Sequence, residues 1–189
     1  EGPYTFEPMA TLAFLPAAAA PSGIGKSSVT INWDRDLNPP PPDTEYEVRI
    51  STRPDFASAV HSSTTRETSA WFDGLISNAS YYAQIAALNH TGVPTSFTPL
   101  PAPLTLPATP QALAQDDAIS GLKLDAFSVH WEDGDNQDGT SYAVEVSTTE
   151  DFSVLYSSGV ADGTTTLYFT GLLTGATYWT RAQAISRGG

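Results

Sequence analysis

The chain contains no cysteine among its 189 residues, and that absence closes several routes at once. Thiol catalysis, zinc–thiolate sites, redox switching and a stapling disulfide are all excluded. Whatever folds here therefore stands on packing. Positive charge is also scarce: 8 Lys and Arg stand against 21 Asp and Glu, a formal charge of −13. The few basic residues are scattered, whereas phosphate binding needs them clustered, so a nucleic-acid partner and an anionic membrane surface are both disfavoured. No apolar run of about 20 residues is present to insert in a bilayer. Glu1 does not open a secretory leader, as expected if one has been removed or if the sequence is a slice of a longer polypeptide. Nucleophile elbows, phosphate loops and dinucleotide glycine fingerprints are missing too. The acid pairs Asp116-Asp117 and Asp34/Asp36 have nothing beside them to separate their pKa values, and no enzyme or cofactor is expected.

What is present is a repeat. Thr44 to Phe56, TEYEVRISTRPDF, returns as TSYAVEVSTTEDF at Thr140 to Phe152. Tyr46 and Tyr142 are 96 apart (142 − 46), Gly74-Leu75 answers Gly171-Leu172 at 97 (171 − 74), and Trp33 answers Trp131 at 98 (131 − 33). The drift falls in polar or Pro- and Gly-rich loops, where length changes cost little. Such a period is too long for a solenoid unit and suits a whole small domain. Each copy alternates apolar and polar residues with period two: Val29, Ile31, Trp33; Tyr46, Val48, Ile50; Tyr81, Ala83, Ile85 and their counterparts. That is the signature of strands with one buried face, and several such runs per hundred residues predict an all-β chain of two tandem β-sandwiches.

These residues resemble the fibronectin type III domain, an immunoglobulin-like β-sandwich. They supply a buried Trp ending the second strand (Trp33, Trp131), then Tyr-x-Val-x-Ile/Val from Tyr46 and Tyr142. A corner Leu follows, with Tyr six residues on (Leu75 to Tyr81, Leu172 to Tyr178). The Ser-Thr-x-x-Asp-Phe after the third strand is similar to the bacterial surface-protein type of that family. The resemblance implies spacer, adhesion or receptor roles and does not choose among them. It places residues 17–107 and 108–189 in one such domain each. Residues 1–16 become the last strand and linker of a preceding or neighbouring domain, because Phe6 to Pro16 lines up with Phe97 to Pro107 at a shift of 91 (97 − 6). The second domain stops at the place Gly92 holds in the first and so lacks its own last strand. Losing such a strand removes about five ladder hydrogen bonds of ~1 kcal/mol each and uncovers apolar side chains worth ~2 kcal/mol each. That sum rivals the ~5–15 kcal/mol holding a domain together, so a replacement strand is expected. Two sources are open: continuing residues of a longer chain, or Tyr4, Phe6 and Met9 of a neighbouring copy.

The Pro- and Ala-rich linkers 15–23 and 100–110 read as stiff and semi-extended, and Pro39 to Pro42 as a short polyproline II turn. By strand parity Trp71, Tyr82, Tyr168 and Trp179 point outward. Such rings can make a glycan- or protein-binding platform, or simply pack across strands, with Trp179 and Arg181 facing the Glu145 strand. The loop Asp133 to Asp138 has the acids of a calcium loop. Asp138 stands where an EF-hand needs Gly and Val144 where it needs a bidentate acid, which favours a solvated acidic turn. Asn78-Ala-Ser and Asn89-His-Thr match the N-glycosylation pattern, which also recurs by chance in Ser/Thr-rich chains. His61, His90 and His130 lie in separate elements without metal spacing, and no metal site is assigned. The expectation is a structural spacer of an extracellular or cell-surface assembly, joined head to tail to other copies or flanking repeats, with strand complementation giving a filament. The alternative is an adhesin or carbohydrate-binding module using the outward aromatics.

Overall fold

A strand with one buried face must place every second residue inward, and the alternation in this chain does so twice over. A computed structural model describes residues 10–41, 43–58 and 60–188. In the first sandwich β1 (Ala17–Ala18) pairs with β2 (Val29–Asp34), which pairs with β5 (Ser69–Phe72). The facing sheet runs in the order β4 (Val60–Thr65), β3 (Glu45–Ser51), β6 (Tyr82–Leu88), β7 (Thr98–Leu100). Val29, Ile31 and Trp33 from one sheet and Tyr46, Val48, Ile50 and Ile85 from the other are buried between them. The Trp33 and Tyr46 rings lie 5.5 Å apart at the centre.

The second sandwich repeats the plan. Both β8 (Gln111–Ala112) and β9 (Ile119–Ser120) pair with β10 (Phe127–Glu132), whose partner on the other side is β13 (Thr166–Phe169). One helical turn, α1 (Gln115–Ala118), separates β8 from β9, with Asp116 and Asp117 favourably placed in its first turn. The facing sheet is β12 (Leu155–Ala161), β11 (Tyr142–Ser147), β14 (Trp179–Ala184). Trp131 and Tyr142 again meet at 5.5 Å in the core. Glu145 pairs with Arg181 and Ser147 with Trp179 across β11 and β14, as parity required. Among the described residues no helix is long and apolar enough to cross a membrane.

By its contacts the chain divides into a first unit, Glu1–Gly74 with Ser80–Pro103, and a second, Leu75–Ala79 with Leu104–Gly189. The turn between β5 and β6 thus belongs to the second unit, through Asn78. This residue is fully buried in the left-handed region at φ 53°, a conformation Asn tolerates better than most residues. Its Nδ2 donates to Thr140 Oγ1 (3.1 Å) and the Ile185 carbonyl (2.9 Å), and its Oδ1 accepts from the Arg187 amide (2.9 Å). Buried Thr105 serves the same turn: its hydroxyl donates to the Ile76 carbonyl and accepts from the Ala79 amide.

Three local readings need correction. Much of the stretch 15–23 is not a linker: Ala17 and Ala18 pair with Asp34 and Trp33, and Ser22 bridges to Thr30. Small side chains let this segment lie flat as an edge strand. At the proline run, whose Pro42 lies outside the described residues, the Asp43 amide donates to the Pro40 carbonyl at 3.1 Å, whereas polyproline II has no internal bonds. Finally, Ala17 pairs with Asp34 as Gln111 pairs with Glu132, so the two incoming strands correspond at 94 (111 − 17) rather than 91. Buried Asn38 and Asn136 clamp the incoming segment at that same spacing. Each side-chain amide holds one backbone unit by a donor and an acceptor bond, Phe14 in the first unit and Ala108 in the second.

The repeated Ser-Thr-x-x-Asp-Phe is a turn device. Ser51 and Ser147 donate across it to the Ser58 and Val154 carbonyls, while the Asp55 and Asp151 carboxylates accept the amides of Ala57 and Ser153. Phe56 and Phe152 are held at φ 51° and 56°, strained values for an aromatic residue, and the surrounding bonds keep them there. Hydrogen bonding from Arg53 and then the Ala57 amide lowers the Asp55 pKa to about 2. The Ser153 amide and hydroxyl and the Thr149 hydroxyl lower Asp151 to about 2. Both carboxyls titrate near ~3.9 in an unfolded chain, so their contribution is complete above that pH and is lost as pH falls through about 2. The double variant D55N/D151N should therefore unfold with a shallower acid limb between about pH 4 and pH 2, followed by tryptophan fluorescence. An acid limb identical to the parent's would refute the turn's role. Trp131→Ala should cost ~3–5 kcal/mol in denaturant unfolding through the cavity it leaves, and half-exposed Tyr82→Ala under ~1 kcal/mol. Equal losses would contradict the strand parity.

Candidate functional site

Comparison of the two sandwiches isolates one difference. In the first, β7 covers the outer edge of β6, pairing Leu100 with Ala83 and Thr98 with Ile85, and it also lies against β1. Ile85 is fully buried as a result. In the second, β14 pairs with β11 on one side and, among the described residues, with no strand on the other. Thr180 and Ala182, in the places of Ala83 and Ile85, remain half-exposed. A paired edge satisfies a row of N–H and C=O groups, whereas a bare one presents them as a template for another chain.

The space beside that edge is lined for an apolar strand. A cleft of about 790 Å³ runs between Ile119, Leu122 and Leu124 on one wall and Leu172, Tyr178 and Trp179 on the other. A smaller cleft of about 270 Å³ continues it between Ala112 and β14, with Val129, Trp131 and Ala182 in its walls. Leu122 and Leu124 are 76% and 80% exposed, unusual for leucines that flank a core. Tyr178 forms the floor of the larger cleft. Its hydroxyl accepts the Leu173 amide at 2.7 Å, a tyrosine corner of the kind found in immunoglobulin-like sandwiches, and its ring packs on Phe127 and Tyr156.

The other sequence-derived candidates divide clearly. Tyr4, Phe6 and Met9 lie outside the described residues. Trp71 is 61% exposed and Tyr82 44%, on strands of opposite sheets, and Tyr168 and Trp179 are divided in the same way. The outer faces of the two sheets look in opposite directions, so neither pair makes one platform. Tyr168 is engaged by Lys123, which lies 5.5 Å over its ring. Asn78 is ruled out as a glycan acceptor by burial, since both amide hydrogens are taken inside the fold. Asn89 Nδ2 donates to the Thr11 carbonyl, and its Oδ1 caps the turn through Thr91 and Val93. In the Asp133 to Asp138 loop, the Asp133 carboxylate accepts the Asp135 amide, and Asn136 bonds the Asp133 carbonyl and anchors Ala108. Among the described residues no group of three or more acids or histidines converges on a metal position.

One pairing escaped the sequence: Ser120 Oγ meets His130 Nε2 at 2.6 Å across β9 and β10. Antiparallel pairing of Ser128 with Ser120 brings them close, and no propensity pattern announces such a contact. No carboxylate bonds the His130 ring among the described residues, so the third member of a hydrolytic triad is not there. His61 packs edge-on to Tyr81 at 6.5 Å.

No family model and no curated protein sequence matches the chain. Among solved structures, a two-domain fibronectin type III segment of chicken tenascin is similar at a TM-score of 0.59, with 15% identity over 90% of this chain and 91% of that one. The FN1–FN3 domains of chicken CNTN1 align over 95% of this chain and 64% of theirs, at 13% identity and a TM-score of 0.38. With the two-sheet strand orders, the buried Trp–Tyr pairs and the tyrosine corner, the tenascin likeness fixes the architecture: the chain is two fibronectin type III folds in tandem.

Proposed function

We propose that the chain is a structural spacer of an extracellular or cell-surface assembly, in which copies join head to tail by strand donation. The donated segment is the stretch around Tyr4, Phe6 and Met9, and the acceptor is the bare edge of β14. One observation carries the reading: among the described residues the second sandwich has no strand on the outer edge of β14, beside a cleft of about 790 Å³, where the first has β7. The donor matches by sequence. Thr98–Leu100 corresponds to residues 4–6 at the spacing of 94 (98 − 94) and to residues 7–9 at 91 (98 − 91), inside the same stretch either way. Strand addition to an open edge is a common mode of recognition, since backbone bonds give affinity and alternate side-chain pockets give register. Donor and acceptor are different segments of the sequence, so the contact is heterologous, the kind that builds filaments when its rotation does not close. The fold supports such a role by its rigidity, and the acidic surface keeps unassembled copies soluble.

Sedimentation velocity on purified 1–189 should show concentration-dependent multimers, and residues 10–189 alone should remain monomeric with an intact fold. A chain of 1–189 that stays monomeric and well folded at high concentration would rule out donation between copies.

A further inference from the structure

The second unit contains a filled socket, and among the described residues nothing fills its counterpart in the first. In the second unit the Leu75–Ala79 turn sits on the incoming segment and two loops. Thr105 bonds it at Ile76 and Ala79, the Leu106 carbonyl accepts the Asn78 amide, and Thr140, Ile185 and Arg187 hold the Asn78 side chain. The spacing of 94 set by β1 and β8 puts Thr11 where Thr105 is and Leu12 where Leu106 is. The repeat puts Thr44 where Thr140 is, Leu88 where Ile185 is, and His90 where Arg187 is. These first-unit residues line one cavity of about 250 Å³, together with Leu37 and Asn38. Thr105 is fully buried under its turn, whereas Thr11 is exposed, Leu12 is 73% exposed and Leu37 69%.

The chain also carries a second turn of the required shape. Leu172–Ala176 follows β13 as Leu75–Ala79 follows β5. Both begin after a left-handed glycine (Gly74 φ 64°, Gly171 φ 71°), and Gly175 at φ 71° takes the place of left-handed Asn78. Ala79 is fully buried, while Ala176 and Gly175 are exposed and Leu173 is 58% exposed. We propose that the cavity of the first unit receives the Leu172–Ala176 turn of a second copy, seated as Leu75–Ala79 is seated in the second unit. The proposal rests on the head-to-tail reading and gives it a second contact, made by side chains and a turn rather than by a strand. Thr11 supplies the hydroxyl that Thr105 supplies, bonding Leu173 and Ala176. Four bonds of the filled socket have no counterpart, one made by the Gln137 amide and three by the Asn78 side chain. Pro39 replaces Gln137, whose amide donates to Ser77, and Gly175 has no side-chain amide to meet Thr44 and Leu88. The intermolecular version is therefore the weaker of the two.

The absence of cysteine makes the test clean. The 1–189 chain carrying Thr11→Cys and Leu173→Cys, treated with a short bismaleimide, should give a ladder of covalent multimers. Thr11→Cys with Val160→Cys, exposed on β12, should give none. Gly175→Asn adds the missing amide where a new Cβ meets open space, and it should tighten association about tenfold by sedimentation. A ladder from the Val160 pair as strong as from the Leu173 pair means random collision and overturns the socket. If deleting residues 1–9 abolishes multimers yet the Leu173 pair gives no ladder, strand donation stands and the socket is wrong. If the ladder forms with and without residues 1–9, the socket stands and donation is wrong. Monomers throughout, with no ladder, overturn both.

Discussion

Backbone pairing is the constraint on which this molecule depends. A β-sandwich exchanges water for interstrand bonds at every N–H and C=O it buries, and its sheets are stable only while their edges are short, covered or occupied. Packing does the rest without disulfides: each core is a Trp–Tyr contact at 5.5 Å flanked by Val from both sheets, joined in the first by Ile and in the second by Phe. Because the chain folds the same plan twice, one sandwich is an internal control for the other. Adding β7 turns the site of half-exposed Ala182 into that of fully buried Ile85. The effect of that strand is visible within a single polypeptide.

The polar interior follows a different rule from the apolar one. Val and Ile are buried wherever the parity of a strand points them inward, but Asn38, Asn78, Thr105 and Asn136 are buried because each finds all of its partners. Apart from the bond of Asn78 to the Thr140 hydroxyl, the bonds described are made to backbone groups of loops and incoming segments. An apolar side chain there would fill the space but would leave carbonyls and amides unmet. These few side chains fix where the chain enters each sandwich and how the turn at Leu75–Ala79 is held.

This distinction explains what was legible in the sequence. Strand alternation, the two cores and the tandem organisation could all be read from periodicity and from the comparison of one copy with the other. The outward direction of Trp71, Tyr82 and Tyr168 followed from parity, yet their division between opposite sheets is a property of three-dimensional layering. Asn78 matched the glycosylation pattern, a three-residue motif that cannot reveal a bond to Ile185, 107 positions away. A signal for the clamps did exist: the shift of 98 that joins Trp33 to Trp131 also joins Asn38 to Asn136, in loops that otherwise share little. The correct spacing of the incoming strands escaped because prolines recur at several offsets there. The turn α1 has no counterpart in the first copy, so the repeat was silent about it.

The surplus of acid has a consequence for any self-association. Each copy carries a formal charge of −13 with a sequence pI near 4.3, so two copies approaching near neutral pH repel before any strand or turn can engage. Mobile cations screen that repulsion over ~8–10 Å at physiological ionic strength and over ~30 Å in dilute buffer. For the proposed head-to-tail contact, the ionic medium is therefore a throttle: concentrated salt would lower the barrier to joining copies and dilute buffer would raise it.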